Sequence, residues 1–326
     1  MNSWGQIFRV TIWGESHGKQ VGVSIDGVPS GIALSEDDFS ADLDRRRAGS
    51  LGTTPRKESD APHIISGLYN GFTTGSPLTI EFLNENTLSG DYRNLVKHPR
   101  PSHADLVAQQ KWGGYNDPRG GGHFSGRITL GLVAAGVVAK KILGSGVEFL
   151  TEITEIGGTN DKTKFNEILE AAQVQHDSIG GVIECRVNSI EAGLGEPFFD
   201  SVESQIAHIL FAVPAVKGVE FGKGFEAARM LGSEHNDRII DREGTTATNN
   251  AGGIVGGITN GNEIVVRAAI KPTASIAKEQ DTYNFDSNCI EPLIIKGRHD
   301  VCIALRAAVV IEAAVAIALA DLKLRA

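Results

Sequence analysis

The stretch "ITLGLVAAGVVAKKIL", Ile128–Leu143, is the one on which the fold turns. Its run of Ala, Gly and Val predicts a helix with close neighbours, because small side chains let helix backbones approach one another. A counterpart lies near the other end of the chain: "AAVVIEAAVAIALADL", Ala307–Leu322. Each follows two arginines that enclose seven residues, Arg119 and Arg127 before the first, Arg298 and Arg306 before the second. The most membrane-like part of the second, Ala307–Ala320, is too short to span a bilayer and carries Glu312, so it reads as a buried helix of a soluble protein.

Outward from these segments the parallel continues. "GLYNGFTTG" (Gly67–Gly75) and "GIVGGITNG" (Gly253–Gly261) share the spacing G-x-x-x-G-x-T-x-G, and strand-like sequence follows each. "VGVSIDGVPSGIALSEDDFSADLDR" (from Val21) runs from alternating strand character through a Gly/Pro turn into an acidic helical start. "VIECRVNSIEAGLGEPFFDSVESQIAHIL" (from Val182) repeats that order. Three echoes in one order predict an ancient duplication: a single domain over residues 1–326 made of two pseudo-repeated halves, about 1–145 and 146–326, each a sheet with a helix and both small-residue helices packed centrally.

The chain has 31 basic and 40 acidic residues and a formal net charge of −9. That balance argues against a general nucleic-acid or membrane-surface binder, which needs a basic face. Cationic clusters must then be local, and local clusters serve small ligands. Cys185, Cys289 and Cys302 stand isolated with no CxxC, which predicts a reduced, cytoplasmic setting without disulfides or a zinc site. The start, "MNSWGQIFRV", lacks the features of a secretory signal.

Against the acidic background, "DPRGGGHFSGRIT" (Asp117–Thr129) sets three consecutive glycines between two arginines. Glycine allows close backbone approach and positive φ, and arginine offers a planar fork of donors for carboxylate or phosphate, so the loop reads as an anion cradle. Cations or histidines also join Gly, Pro or Ser in "GESHG" (14–18), "DLDRRRAG" (42–49), "HPRPSHADL" (98–106), "KPTAS" (271–275) and "GRHD" (297–300). Simpler readings stand beside these: Arg45, Arg46 and Arg47 solvating a helix end, Lys271 closing a strand, Asp300 pairing with Arg298, and His17 and His103 as structural loop histidines. No GxxxxGK[ST], Rossmann G-x-G-x-x-G or HExxH is present, which leaves a polyanionic ligand with acid/base chemistry as the better fit.

The motifs "FRVTIWGESHG", "DGVPSGIALSEDDFSADLDRRRAG", "RPSHADL", "AGLGEP", "VKGVEFGKGFE", "NNAGGIVGGITNG", "KPTASI" and "GRHD", in this order from Gly5 to about Leu322, resemble the chorismate synthase family. The resemblance implies an α+β fold with antiparallel β-sheets sandwiching a central helical core, assembled as a homotetramer. It implies loss of phosphate and a ring hydrogen from 5-enolpyruvylshikimate 3-phosphate in a 1,4-elimination that gives chorismate, the last step of the shikimate pathway. Reduced FMN (FMNH2) is the implied cofactor, without net redox change; NADP is a further family association, and an external flavin reductase is expected. The substrate and FMN together bring roughly five or six negative charges, which an acidic protein binds only by concentrating cations in one pocket.

By the same resemblance, His17 stands near the departing phosphate, His103 protonates the reduced flavin, and Asp300 stands near flavin N5, helping it accept the ring proton. Arg46, Arg56, Arg119, Arg127 and Arg298 correspond to phosphate or carboxylate contacts. His123, Phe124, Ser125, Gly256, the run Lys271, Pro272, Thr273, Ala274 and Ser275, and again Arg298 correspond to the FMN site; no metal is implied. The chain departs from the family pattern with His123-Phe124 for Arg-Ser, Ile128 for Glu, Gly52 where arginine is common, Pro214 for Asn and Val301 for Pro. Two other readings remain: a flavin- or phosphate-binding protein without catalysis, and a nonenzymatic polyanion-binding module.

Overall fold

The computed structural model describes residues 1–54, 58–85, 94–297 and 299–326; Arg56 and Arg298 lie outside the described residues. The first half runs β1 (Ser3–Trp4), β2 (Arg9–Gly14), β3 (Gln20–Asp26), α1 (Ser40–Arg46), β4 (His63–Ser66), the hairpin β5 (Leu68–Tyr69) and β6 (Phe72–Thr73), β7 (Leu78–Leu83), α2 (Asp105–Trp112) and α3 (Thr129–Leu143). The second runs β8 (Glu148–Ile156), α4 (Phe165–Val174), β9 (Gly181–Asn188), α5 (Val202–Leu210), β10 (Val216–Phe221), α6 (Gly232–His235), the hairpin β11 (Ile254–Val255) and β12 (Ile258–Thr259), β13 (Ile264–Ile270), the hairpin β14 (Gln280–Asn284) and β15 (Cys289–Leu293), and α7 (Ala304–Arg325).

Two antiparallel sheets enclose α3 and α7, so the architecture is α+β. Along β3 the residues Val21, Val23 and Ile25, and along β7 Leu78, Ile80 and Phe82, are fully buried, the period of two expected of a sheet with one face on the core. That face receives α3, while α7 packs on β8 and β9 and against α3. Each central helix is buried on nearly every side because it has a helix beside it and a sheet over it, which is why neither shows an amphipathic pattern. At their crossing a Cβ on Gly136 would lie 2.4 Å from that of Ala313, so glycine sets the helix separation there.

The first sheet has the order β1-β2-β3-β7-β4 and the second β10-β13-β9-β8. Leaving β1 aside and numbering the main strands of each half in chain order, both sheets read first, second, fourth, third. Both G-x-x-x-G-x-T-x-G stretches form a hairpin before the fourth strand, and their threonines act alike. The Thr73 hydroxyl donates to Pro29 O (2.6 Å) and accepts from Ile32 N (3.0 Å); the Thr259 hydroxyl donates to Glu191 O (2.7 Å) and accepts from Leu194 N (2.9 Å).

Two acids in α7 have structural reasons. Glu312 takes both forks of Arg45 at 2.7 Å and Lys140 at 2.6 Å, linking α1, α3 and α7. Asp321, fully buried, accepts the backbone N–H groups of Gln6, Ile7 and Phe8 at 3.0, 2.8 and 2.9 Å and thereby fastens the start of the chain to its last helix. Among the described residues no helix is long and apolar enough to cross a membrane.

Candidate active site

A cavity of about 720 Å³ opens where the end of α1, the glycine loop, the Lys271–Ser275 segment and the start of α7 converge. Its cations are placed by helix geometry. Successive residues of a helix point about 100° apart, so Arg45 turns to Glu312 while Arg46 enters the cavity, 2% exposed. Arg46 donates through Nε to Thr129 Oγ1 (3.0 Å) and through Nη2 to Gly126 O (2.6 Å). Its Nη1, buried and 3.7 Å from Asp60, finds no hydrogen-bond partner among the described residues. Burial first, then the neighbouring Arg306, pulls Arg46 down to about 9, with Asp60 opposing. Arginine is still charged at neutral pH with such a value; the cavity is short of negative charge.

Asp60 lies between Arg46 and Arg127 with a left-handed φ of 50°. Burial alone would raise its carboxyl, but the two guanidinium groups hold it below the ordinary value. Arg127 reaches Asp60 through Nη1 (2.7 Å) and Leu83 O through Nη2 (2.9 Å), and its Nε donates to Asn84 Oδ1. Asp300 accepts from Thr54 N (2.8 Å) and from Arg306 Nη1 (3.1 Å), and Arg306 Nε donates to Arg46 O (3.0 Å), tying α7 to the end of α1. Gly52 O receives the N–H groups of Val301 and Cys302 at 2.9 and 3.1 Å, while a Cβ there would press on Leu169 and Leu305. The backbone at Gly52, with a left-handed φ of 82°, thus seats the Asp300 segment.

The three glycines have a geometric purpose. Gly120, Gly121 and Gly122 all take positive φ; a Cβ on Gly120 would lie 2.5 Å from His17 Nε2, and one on Gly121 3.4 Å from His103 Nε2. Their backbone therefore runs against both imidazoles, which a loop with side chains could not do. His103 lines the cavity beside Asp105 and Arg100; burial lowers its pKa, Asp105 opposes, and Arg100 and Lys271 add to the lowering. Arg100 donates through Nη1 to Ser275 Oγ (2.8 Å), joining this group to the Lys271–Ser275 segment, where Thr273 Oγ1 is buried without a hydrogen-bond partner among the described residues. Lys271 is lowered by burial and by Lys217, and its Nζ donates to Ser102 O (2.8 Å).

The cavity thus gathers Arg46, Arg127, His103, Asp300, Phe124, Ser125 and all of Lys271, Pro272, Thr273, Ala274 and Ser275. His17 lies just behind Gly120. Three expected residues stand apart. Arg119 closes on Asp117 (2.9 and 2.8 Å) with its side chain half exposed; the His123 ring meets Gly14 O (2.8 Å) and Asn2 Oδ1 (3.2 Å); Gly256 turns the exposed tip of the β11–β12 hairpin. Phe124 packs on Trp112, ring centroids 5.6 Å apart, at the cavity rim.

Sequence reasoning passed over Asp60, Arg100, Asp105, His299 and Arg306, all in or beside the cavity. Signals existed for some: Arg100 and Asp105 bracket His103 in "RPSHAD", and Arg306 is the second arginine of the echoed pair. Asp60 had none, since its partners are far away in the chain. Among the described residues no group of His, Cys, Asp or Glu could hold a metal ion.

Residues 8–324 match the family model for chorismate synthase. Curated proteins described as chorismate synthase are similar throughout: that of Chitinophaga pinensis is 60% identical over 324 residues, covering 99% of this chain and 97% of the relative. One from Dehalococcoides mccartyi is 44% identical over 353 residues, covering 100% and 97%. A solved structure described as "Crystal Structure of Chorismate Synthase" superposes with a TM-score of 0.74 at 28% identity, covering 99% of this chain and 93% of that one. A chain whose whole length follows these proteins in sequence and fold belongs to the chorismate synthase family, carbon–oxygen lyases that act on phosphates.

Proposed function

We propose that the chain converts 5-enolpyruvylshikimate 3-phosphate to chorismate and phosphate by 1,4-elimination with reduced FMN bound, the last step of the shikimate pathway to the aromatic amino acids. The observation that carries this reading is the concentration of Arg46, Arg100, Arg127, Arg306 and Lys271 around one cavity of a protein with net charge −9. Such a cluster in a low-dielectric site calls for a ligand with several negative charges. Arg46 Nη1 and Thr273 Oγ1, buried and without a hydrogen-bond partner among the described residues, are donors of the kind that phosphate or carboxylate oxygens satisfy. The residues present fit FMN as well: Lys271, Thr273 and Ser275 suit a phosphate, and Phe124 with Ser125 suits an aromatic ring system. When bound, reduced FMN supplies transient electron donation to the substrate ring and a nitrogen that accepts the ring proton.

The protein's own groups then have distinct tasks. Arg46 and Arg127 hold anionic groups of the substrate, and His17 in its protonated form neutralises charge building on the departing phosphate. His103 holds a proton at the cavity wall, and Asp300, kept in place by Thr54 and Arg306, provides a negative charge that favours proton acceptance beside it. Arg56 and Arg298 remain proposed anion contacts on the strength of the resemblance, as do Arg119, His123 and Gly256, which this chain alone does not bring to the cavity.

The same reading makes the protein a cytoplasmic homotetramer that takes reduced flavin from an external reductase, with the family's NADP association on that side of the chemistry, and with no nucleic-acid or membrane partner. The exposed Phe198, Phe199 and Phe225, 86%, 91% and 74% accessible, supply apolar surface suited to association. It also treats the chain as one domain of two related halves, supported by the shared strand order and the matched Thr73 and Thr259 bonds. The deciding experiment is an anaerobic assay with chemically reduced FMN and 5-enolpyruvylshikimate 3-phosphate. Chorismate and phosphate in equal amounts are expected; FMN binding with neither product would instead favour a flavin-binding protein without catalysis.

A further inference from the structure

We propose that Asp105 is a positioning residue for His103: it holds the imidazole in the Nδ1–H form, so that Nε2 is the ring nitrogen turned to the glycine loop and the cavity. His103 Nδ1 lies 2.7 Å from Asp105 Oδ1, and both side chains are largely buried, 18% and 7% exposed. A carboxylate only accepts hydrogen bonds, so an Nδ1–H ring is favoured by this contact and a bare Nδ1 is not.

The carboxylate cannot turn away to relieve the contact. Arg100 grips it with Nη2 on Oδ1 and Nε on Oδ2, both 2.7 Å, and its backbone N–H adds a third bond at 3.2 Å; Arg100 is itself anchored on Ser275. Arg100 Nη2 is placed to donate to the same His103 nitrogen at 3.1 Å, so Arg100 and Asp105 favour opposite tautomers, and the nitrogen goes to the nearer group, the carboxylate at 2.7 Å. At the far edge of the ring Nε2 lies against Gly121, where a Cβ would be 3.4 Å away.

The groups facing His103 are Asp105, Arg100, Lys271 and His299. Burial and the nearby cations lower its pKa, and the Asp105 hydrogen bond and charge oppose them. Removing Asp105 is therefore expected to make the ring harder to protonate and to release its tautomer. The inference rests on the reading of His103 as a proton donor in the cavity, but it can be tested without turnover.

The test is imidazole nitrogen and carbon NMR of the full-length protein across pH, with His103 assigned by its loss in His103→Gln. In the wild type the neutral ring is expected as Nδ1–H. In Asp105→Ala, Nδ1 is left beside the Arg100 guanidinium, so a switch to Nε2–H is expected. The protonation midpoint should also fall by about one pH unit or more. Asp105→Glu, which keeps the charge, should restore part of the fall. In the anaerobic assay, kcat of Asp105→Ala should drop about tenfold or more with little change in KM. A wild-type ring in the Nε2–H form overturns the proposal even if Asp105→Ala fails to fold; so does an unchanged tautomer and midpoint in a folded Asp105→Ala. Absence of chorismate from a wild-type protein with the expected NMR behaviour counts against the proposed function and leaves the Asp105 assignment standing.

Discussion

At the scale of single residues, the cavity holds donors without a hydrogen-bond partner among the described residues, and backbone that the fold brings unusually close to two imidazoles. Arg46 shows the first: burial and like charges strain it, and a bound anion relieves that strain. Arg46→Met is expected to weaken binding of the substrate by about 10–100-fold, the loss of one charge-assisted contact, as read by titration calorimetry. Gly120 shows the second. In Gly120→Ala the new methyl meets the His17 ring at 2.5 Å and the left-handed φ adds strain. Turnover should fall about tenfold or more, because small misplacements of a group beside the cavity are costly, and the thermal midpoint should fall as well. His17→Ala and His103→Ala are each expected to lower kcat by more than they weaken substrate binding; wild-type turnover in a correctly folded variant would remove that histidine from the mechanism.

At the scale of elements, the ion network among α1, α3 and α7 explains both an acid inside an apolar helix and the orientation of Arg46 in the cavity. Glu312 receives Arg45 and Lys140, and Lys140 also reaches Asp42 at 2.6 Å. With Arg45 held on this side, Arg46 is left on the cavity side of the same helical turn. Glu312→Ala leaves two cations that are only partly buried, so a cost of about 2 kcal/mol is expected, below that of a fully enclosed pair. Burial alone would raise the Glu312 carboxyl, but Arg45 and Lys140 hold it below its ordinary value. Its contribution to stability is therefore complete above about pH 4.3 and is lost as pH falls through the lower, folded-state value. Melting curves of wild type and Glu312→Gln should accordingly converge in the acid range. Where α3 crosses α7, a methyl group on Gly136 would overlap Ala313, and Gly136→Ala is expected to cost about 1–3 kcal/mol in denaturant titrations.

At the scale of the whole molecule, two sheets close over paired helices, and Asp321 clasps residues 6–8 to the last helix. Asp321→Ala would leave three backbone donors unsatisfied and is expected to cost about 3 kcal/mol or more, while Asp321→Asn, which keeps an acceptor oxygen, should cost less. Thermal unfolding of the pair checks that ranking. Much of this architecture could be read in the sequence. The small-residue composition of Ile128–Leu143 and Ala307–Leu322 determined that two helices would pack closely at the centre, because a helix approach is limited by its side chains, and the alternation in Val21–Ile25 determined a strand with one buried face. The clustering of cations around one cavity was partly legible too, since Arg, Gly and His stood out against an acidic chain. What only the tertiary structure decided was which of those residues meet: Arg45 turned to Glu312 and Arg46 to the cavity, Arg119 closed on Asp117, His123 turned to Gly14, and Asp60 placed between two arginines. Helix and strand periods are local properties of a few neighbouring residues, whereas the partner of a buried charge is chosen through space among groups far apart in the chain, and no spacing in the sequence encodes that choice.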